Sequence, residues 1–118
     1  MNSILSSILG TKNKLINLNS HDFEKQFSDD KNSVLLDVRT PMENAEERIP
    51  NSILIDLYSP NFAKEIEKLD KTKSYFIYCR SGNRSYHAGR QMINMGFEKI
   101  YNLESGIIGW HGEVESEY

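Results

Sequence analysis

The sequence predicts an α/β domain, with a mostly parallel sheet and helices on both of its faces. Three observations carry that expectation. Short apolar runs alternate with amphipathic stretches along the chain. The connections between them are short. Two of the runs, residues 34–38 and 75–78, are apolar on nearly every position, as strands buried on both faces are.

The elements follow in order. Residues 15–18 predict a first strand, then a helix from about Ser20 with Phe23 and Phe27 one turn apart. Val34-Leu35-Leu36-Asp37-Val38 predicts a buried strand. Thr40-Pro41-Met42-Glu43 is a capping-box pattern, with Thr40 as N-cap, Pro41 at the first helical position and Glu43 reaching back. A turn at Ile49-Pro50-Asn51 leads to a strand over 52–56. A helix over about 61–69 places Phe62, Ile66 and Leu69 on one face. Tyr75-Phe76-Ile77-Tyr78 runs as a strand into Cys79, residues 85–95 predict a helix ended by Gly96, and 99–102 the last strand. Residues 1–13 are expected to form an arm or short helix outside a single domain over 14–118.

Composition narrows the functions. The chain has 118 residues, 38% hydrophobic and 26% charged, which excludes a disordered polymer, and no apolar run approaches a membrane span. A net charge of −3 argues against nucleic acid as a partner, because nucleic-acid binders are usually basic. The start of the chain lacks the charged and small-residue flanks of a signal peptide, so a cytoplasmic address is expected. One cysteine rules out an intramolecular disulfide, and His21, His87 and His111 show no metal-ligand spacing, so neither a metal nor another cofactor is expected.

Cys79 falls at the carboxyl end of a strand and just before a helix, where open α/β sheets bind ligands. The loop Cys79-Arg80-Ser81-Gly82-Asn83-Arg84-Ser85 can turn its N–H groups inward as an anion nest, with Gly82 and Asn83 free to take unusual backbone angles. The next helix adds its positive N-terminal end. From Cys79 to Arg90 the charges are Arg80, Arg84 and Arg90, with no acid among them. This positive well favours a thiolate over a thiol. An anion with a transferable sulfur would bind there, be attacked at its outer sulfur and leave, and a second nucleophile would then take the sulfur from Cys79.

The same loop resembles the active-site loop of the rhodanese family, and the arginine after its cysteine resembles the thiosulfate-using branch more than the mercaptopyruvate branch. Leu36-Asp37-Val38-Arg39-Thr40-Pro41, with Glu43 and Ile49-Pro50 in register, resembles the family's Asp-Val-Arg signature. Asn94-Met95-Gly96-Phe97 is similar to its small-Gly-Phe turn, and Tyr101-Asn102-Leu103-Glu104 with Gly106 and Trp110 to its C-terminal stretch. The likeness runs from about residue 17 to 111. It implies a three-layer fold around a central sheet of five strands, with Cys79 as the sulfur-accepting nucleophile. It further implies that Arg80, Ser81, Gly82, Asn83, Arg84 and Ser85 bind the donor. The donor would be thiosulfate or a persulfide, and the acceptor a thiol, cyanide or a protein. Two stretches depart from the pattern, the first being Arg48-Ile49-Pro50-Asn51-Ser52 in place of the family's usual His-Ile-Pro-Gly-Ala. Asn51 stands for a usual glycine, which it replaces at low cost in a left-handed conformation, and Ser105 for the first of two glycines.

Bland readings stand beside these. Asp37 and Arg39 either support the site or form a structural ion pair at a strand end; structure is the expectation for Asp37, and Arg39 stays open. Trp110 reads as a core anchor closing a C-terminal helix, His87 as a solvated helix residue, and 113–118 as a frayed, solvated tail. Two other functions compete with sulfur transfer. A cysteine phosphatase or arsenate reductase would need Cys-x5-Arg, whereas Cys79 to Arg84 is Cys-x4-Arg. A non-catalytic binding module would typically have lost the cysteine.

Overall fold

The computed structural model describes residues 13–118. The expected N-terminal arm lies outside them except for Asn13, whose Nδ2 donates to the carbonyl of Phe97 at 3.0 Å. Five strands, β1 (Lys14–Leu18), β2 (Val34–Asp37), β3 (Ile53–Leu54), β4 (Ser74–Tyr78) and β5 (Lys99–Leu103), form one sheet in the order β1-β5-β4-β2-β3. Every neighbouring pair is parallel. The helices between them are α1 (Ser20–Asp29), α2 (Pro41–Glu46), α3 (Phe62–Glu67) and α4 (Asn83–Asn94), and a 3-10 turn (Ile107–Gly109) follows β5. No described helix is long and apolar enough to cross a membrane.

The central strand shows why the sheet is buried on both faces. Along β4 all five residues are buried. Successive side chains of a strand point to opposite faces. Tyr75, Ile77 and, one step further, Cys79 therefore join one core with Phe62 and Ile66 of α3 and Ala88 and Met92 of α4. Phe76 and Tyr78 join the other, with Phe23 of α1, Leu35, Leu103 and Ile107. Phe76 meets Phe23 and Phe27 edge-on and stacks on Tyr101 with centroids 4.6 Å apart. The three-layer arrangement is thus the one expected.

Local chemistry explains the starts of the helices. Asn19 caps α1 by accepting from Asp22 N–H at 2.8 Å. The capping box at α2 forms in full: Thr40 Oγ1 accepts from Glu43 N–H, and Glu43 Oε1 accepts from Thr40 N–H. Asn51 sits at φ 72°, the left-handed position expected of it.

Several expectations need correction. The third strand is two residues, not 52–56, because it borders the sheet with a partner on one side only. Helix α3 ends at Glu67, and Leu69 is instead held in a turn by its N–H to the carbonyl of Ile66. Helix α4 begins at Asn83 rather than 85, so the loop proper is residues 79–82, and Asn83 is helical while only Gly82 has positive φ. There is no C-terminal α-helix for Trp110 to close; it follows the 3-10 turn, half-buried against Phe23, and its indole N–H donates to the carbonyl of Glu113.

The tail is exposed but tied rather than frayed. Arg48 and Glu115 exchange both backbone hydrogen bonds at 2.9 and 2.8 Å, and the Arg48 guanidinium pairs with Glu115 and Glu117. The length of the Arg48 side chain lets it reach both carboxylates.

Candidate active site

Four elements build the site: the end of β4, the first turn of α4, the turn after β5, and α2. Cys79 is buried, and its Sγ accepts three hydrogen bonds, from Gly82 N–H at 3.2 Å, Ser85 N–H at 3.3 Å and Ser85 Oγ–H at 3.3 Å. Two of the donors are backbone groups at the start of a 12-residue helix, which lacks an N-terminal side-chain cap. The orphan amides that every helix leaves at its N-terminus are here turned on sulfur. An electron-rich sulfur is what such an arrangement holds best.

The loop keeps this shape because the chain after β5 clasps it from behind. Ile107 N–H donates to the carbonyl of Cys79 at 2.9 Å, and Ile108 N–H to that of Arg80 at 3.2 Å. With their carbonyls drawn outward, the loop amides face in. The approach is close enough that two glycines are required. A Cβ on Gly82 (φ 96°) would lie 2.0 Å from the carbonyl oxygen of Glu104, and one on Gly106 (φ 71°) 2.1 Å from that of Arg80. Ser105, the departure from the glycine pair, is exposed and lies outside this clash.

The arginines divide. Arg80 is exposed, and among the described residues its guanidinium pairs with no carboxylate. Arg84 is not open in the same way. Its Nη1 and Nη2 each donate to Glu43 at 2.8 Å, and it lies over the Tyr58 ring. The arginine bonds, helped by Thr40, hold the Glu43 carboxyl down to about 2, and Glu43 in turn raises the Arg84 pKa. The well free of acids expected from the sequence is therefore corrected: an acid enters from α2, because the capping box aims Glu43 across the loop.

The remaining candidates fall into place. Ser81 and Asn83 are exposed on the loop rim and at the helix start, and Ser85 is fully buried beneath sulfur. Asp37 and Arg39 make no bond to Cys79. They form a buried ion pair at 2.8 Å, with Arg39 also donating to the carbonyl of Glu47 and Asp37 accepting from Asn44 and Tyr78. Burial first, then the nearby Asp37 charge, pushes the Tyr78 phenol up to about 12, so it serves as a neutral donor. This network anchors α2, and through it Glu43. His87 is exposed.

Asn102 is the site residue that sequence reasoning did not single out. It is buried in β5, with Nδ2 donating to the carbonyl of Gly82 at 3.1 Å and Oδ1 accepting from Ser85 Oγ. The available signal was an amide between Tyr101 and Leu103 on a strand that is otherwise apolar at its centre. No group of three or more potential metal ligands occurs among the described residues.

Residues 20–113 match the family model described as a rhodanese-like domain. The chain belongs to that family. A sulfurtransferase of Allochromatium vinosum is 32% identical over 97 residues, which cover 80% of this chain and 89% of the relative. A thiosulfate sulfurtransferase of Pseudomonas syringae is 31% identical over 85 residues, covering 72% of this chain and 78% of the relative. Among solved structures, a rhodanese-related protein of Thermoplasma volcanium superposes with a TM-score of 0.73 at 28% identity, over 85% of this chain and 97% of that one. A rhodanese-like domain protein of Staphylococcus aureus superposes equally well, at 0.73 and 24% identity, over 87% and 99%. The family match and the two sulfurtransferase relatives support sulfur transfer in general as the chemistry of this rhodanese-like domain.

Proposed function

We propose that this domain moves a sulfane sulfur from thiosulfate or another persulfide donor to a thiophilic acceptor through a persulfide on Cys79. The observation that carries the reading is the three-donor cradle around a single buried sulfur at the end of the central strand. With thiosulfate, the Cys79 thiolate attacks the outer sulfur, the donor's S–S bond breaks and sulfite departs with the electron pair. The acceptor, a thiol, cyanide or the cysteine of a protein, then attacks the outer sulfur of the persulfide and the pair returns to Sγ.

Arg80, exposed at the rim, draws in the anionic donor. Arg84 keeps three of its five N–H groups outside its bonds to Glu43, which leaves them for the donor, with less net charge than a free arginine would bring. Gly82 and Ser85 supply the cradle, and Ser81 and Asn83 meet the donor at its rim. Asp37 and Arg39 act at a distance, by fixing α2. The Cys-x4-Arg spacing and the family match favour this reading over a phosphatase, and the presence of Cys79 favours it over a binding module.

Intact-protein mass after incubation with thiosulfate tests the proposal. One added sulfur, removed by cyanide and absent from Cys79→Ser, is expected, and Cys79→Ser keeps its fold. Absence of any adduct with thiosulfate and with a small-molecule persulfide would refute the carrier chemistry.

A further inference from the structure

Asn102 is a buried amide that the transfer chemistry alone leaves without a task. It is 2% exposed, one residue from the end of β5, and burying an amide costs free energy unless its hydrogen bonds are made. Its bonds are all made, and they fix its orientation. Nδ2 donates to the carbonyl of Gly82 at 3.1 Å and to Asn17 Oδ1 at 2.9 Å. A backbone carbonyl can only accept, so the amide nitrogen must face Gly82 and Oδ1 must face Ser85.

Ser85 Oγ therefore has two acceptors within reach: Asn102 Oδ1, its close partner, and Cys79 Sγ at 3.3 Å. A hydroxyl has one proton to donate. Which acceptor receives it depends on the charge at Sγ. A thiolate draws the O–H strongly, since hydrogen bonds to ionised acceptors are about twice as strong as neutral ones. Once Sγ is bonded to a second sulfur, the negative charge sits on the outer atom. Sγ is then a weak acceptor, and the hydroxyl turns to Asn102.

We propose that Asn102 is a positioning residue that competes with Sγ for the Ser85 hydroxyl and thereby sets the relative rates of sulfur loading and sulfur discharge. The inference rests on the persulfide reading above. No proton leaves Ser85 in either half-reaction; its O–H rotates. In loading, the Sγ–S bond forms and the donor's S–S bond breaks, sulfite taking the electron pair. In discharge to cyanide, the carbon–sulfur bond of thiocyanate forms, the Sγ–S bond breaks and the pair returns to Sγ. Ser85 stabilises the thiolate that discharge creates and that loading consumes. Asn102, by holding the hydroxyl away, favours the loaded state.

Replacement of Asn102 by leucine isolates this competition. The carbonyl of Gly82 still receives Tyr86 N–H at 3.2 Å and exposed Asn17 turns to water, so neither is left unpaired, while the Ser85 hydroxyl keeps Sγ without a competitor. The experiment measures loading by thiosulfate and discharge of the preloaded protein by cyanide, each as a single-turnover rate. It is run at a pH where alkylation of Cys79 by iodoacetamide has levelled off. Wild-type protein that neither loads nor discharges would sink the persulfide reading itself.

Given a working wild type, the ratio of discharge to loading should fall about tenfold or more in Ser85→Ala. It should rise by about two- to tenfold in Asn102→Leu, the worth of one neutral hydrogen bond. Ser85→Thr should bring the ratio back toward wild type, and Ser85→Ala/Asn102→Leu should match Ser85→Ala. Asn102→Ala, with the same expected sign, serves if the leucine variant does not fold. A structural defect would slow both half-reactions alike. Equal slowing in Asn102→Leu or Asn102→Ala, a falling ratio, or an Asn102 effect that persists without the Ser85 hydroxyl would overturn the proposal.

Discussion

Glu43→Gln removes one negative charge from the active-site rim while keeping the side chain's shape. In the folded protein Glu43 receives both Arg84 Nη groups at 2.8 Å, and its Oε1 also accepts from Thr40 N–H and Oγ1–H at 3.1 Å. These bonds hold its carboxyl down to about 2, against an unfolded value of about 4.3. The folded value is the lower one, so this stabilisation is present in full above the unfolded value. It is lost as the pH falls toward 2. A shift of a little over two units corresponds to about 3 kcal/mol at most, at about 1.4 kcal/mol per unit. The side chains of Arg84 and Glu43 are 20% and 28% exposed, and screening by solvent brings the contribution to about 1–2 kcal/mol.

Glu43→Gln should therefore lower the stability at pH 7 by about 1–2 kcal/mol, or the Tm by about 4–8 °C. Unfolding in urea, followed for both proteins from pH 7 to pH 2, should show the gap narrowing through the window from about 4 to about 2. The variant should also bind thiosulfate more tightly, because the Arg84 charge at the loop is then no longer offset by a carboxylate. A stability gap that stays constant across the pH range would refute the account of the pair, as would a raised KM for thiosulfate with unchanged kcat.

Other outcomes follow from the same geometry. Gly106→Ala combines a left-handed backbone with a Cβ 2.1 Å from the Arg80 carbonyl oxygen; it should cost at least about 3 kcal/mol in chemical denaturation and abolish persulfide formation. Asp37→Ala leaves the Arg39 guanidinium buried without its partner and should destabilise by about 3–5 kcal/mol, whereas a near-neutral result would mean that Arg39 escapes to solvent. Arg80→Ala should raise KM for thiosulfate several-fold with little change in kcat, since it acts on donor capture, and an unchanged KM would remove it from that role.

The cysteine loop could be read from the sequence because its signals are local. A buried apolar run ending in cysteine, then glycine and arginines before a helix, specifies a strand, a tight loop and an anion-facing helix start within a dozen residues. The left-handed Asn51 and the capping box at Thr40 were legible for the same reason: each is completed by residues within one turn of itself. The short third strand and the earlier start of α4 were not. Strand length at a sheet border depends on how many residues find a partner, and helix start depends on which residue supplies the left-handed turn; here Gly82 alone does so.

By itself, the sequence determined the parallel α/β layering, the position of Cys79 at the end of β4, and the family to which the chain belongs. Only the tertiary structure decided what surrounds the sulfur. Glu43 reaches Arg84 across 41 positions, Asn102 reaches Ser85 across 17, and Gly106 lets the chain after β5 draw the loop carbonyls outward. The physical reason is that charge and hydrogen bonding act over a few ångströms of space regardless of separation along the chain. A residue pattern can show that arginines stand near a cysteine. Which of them is offset by a carboxylate, and which hydroxyl faces the sulfur, follows from packing β4, α4, α2 and the turn after β5 around one loop.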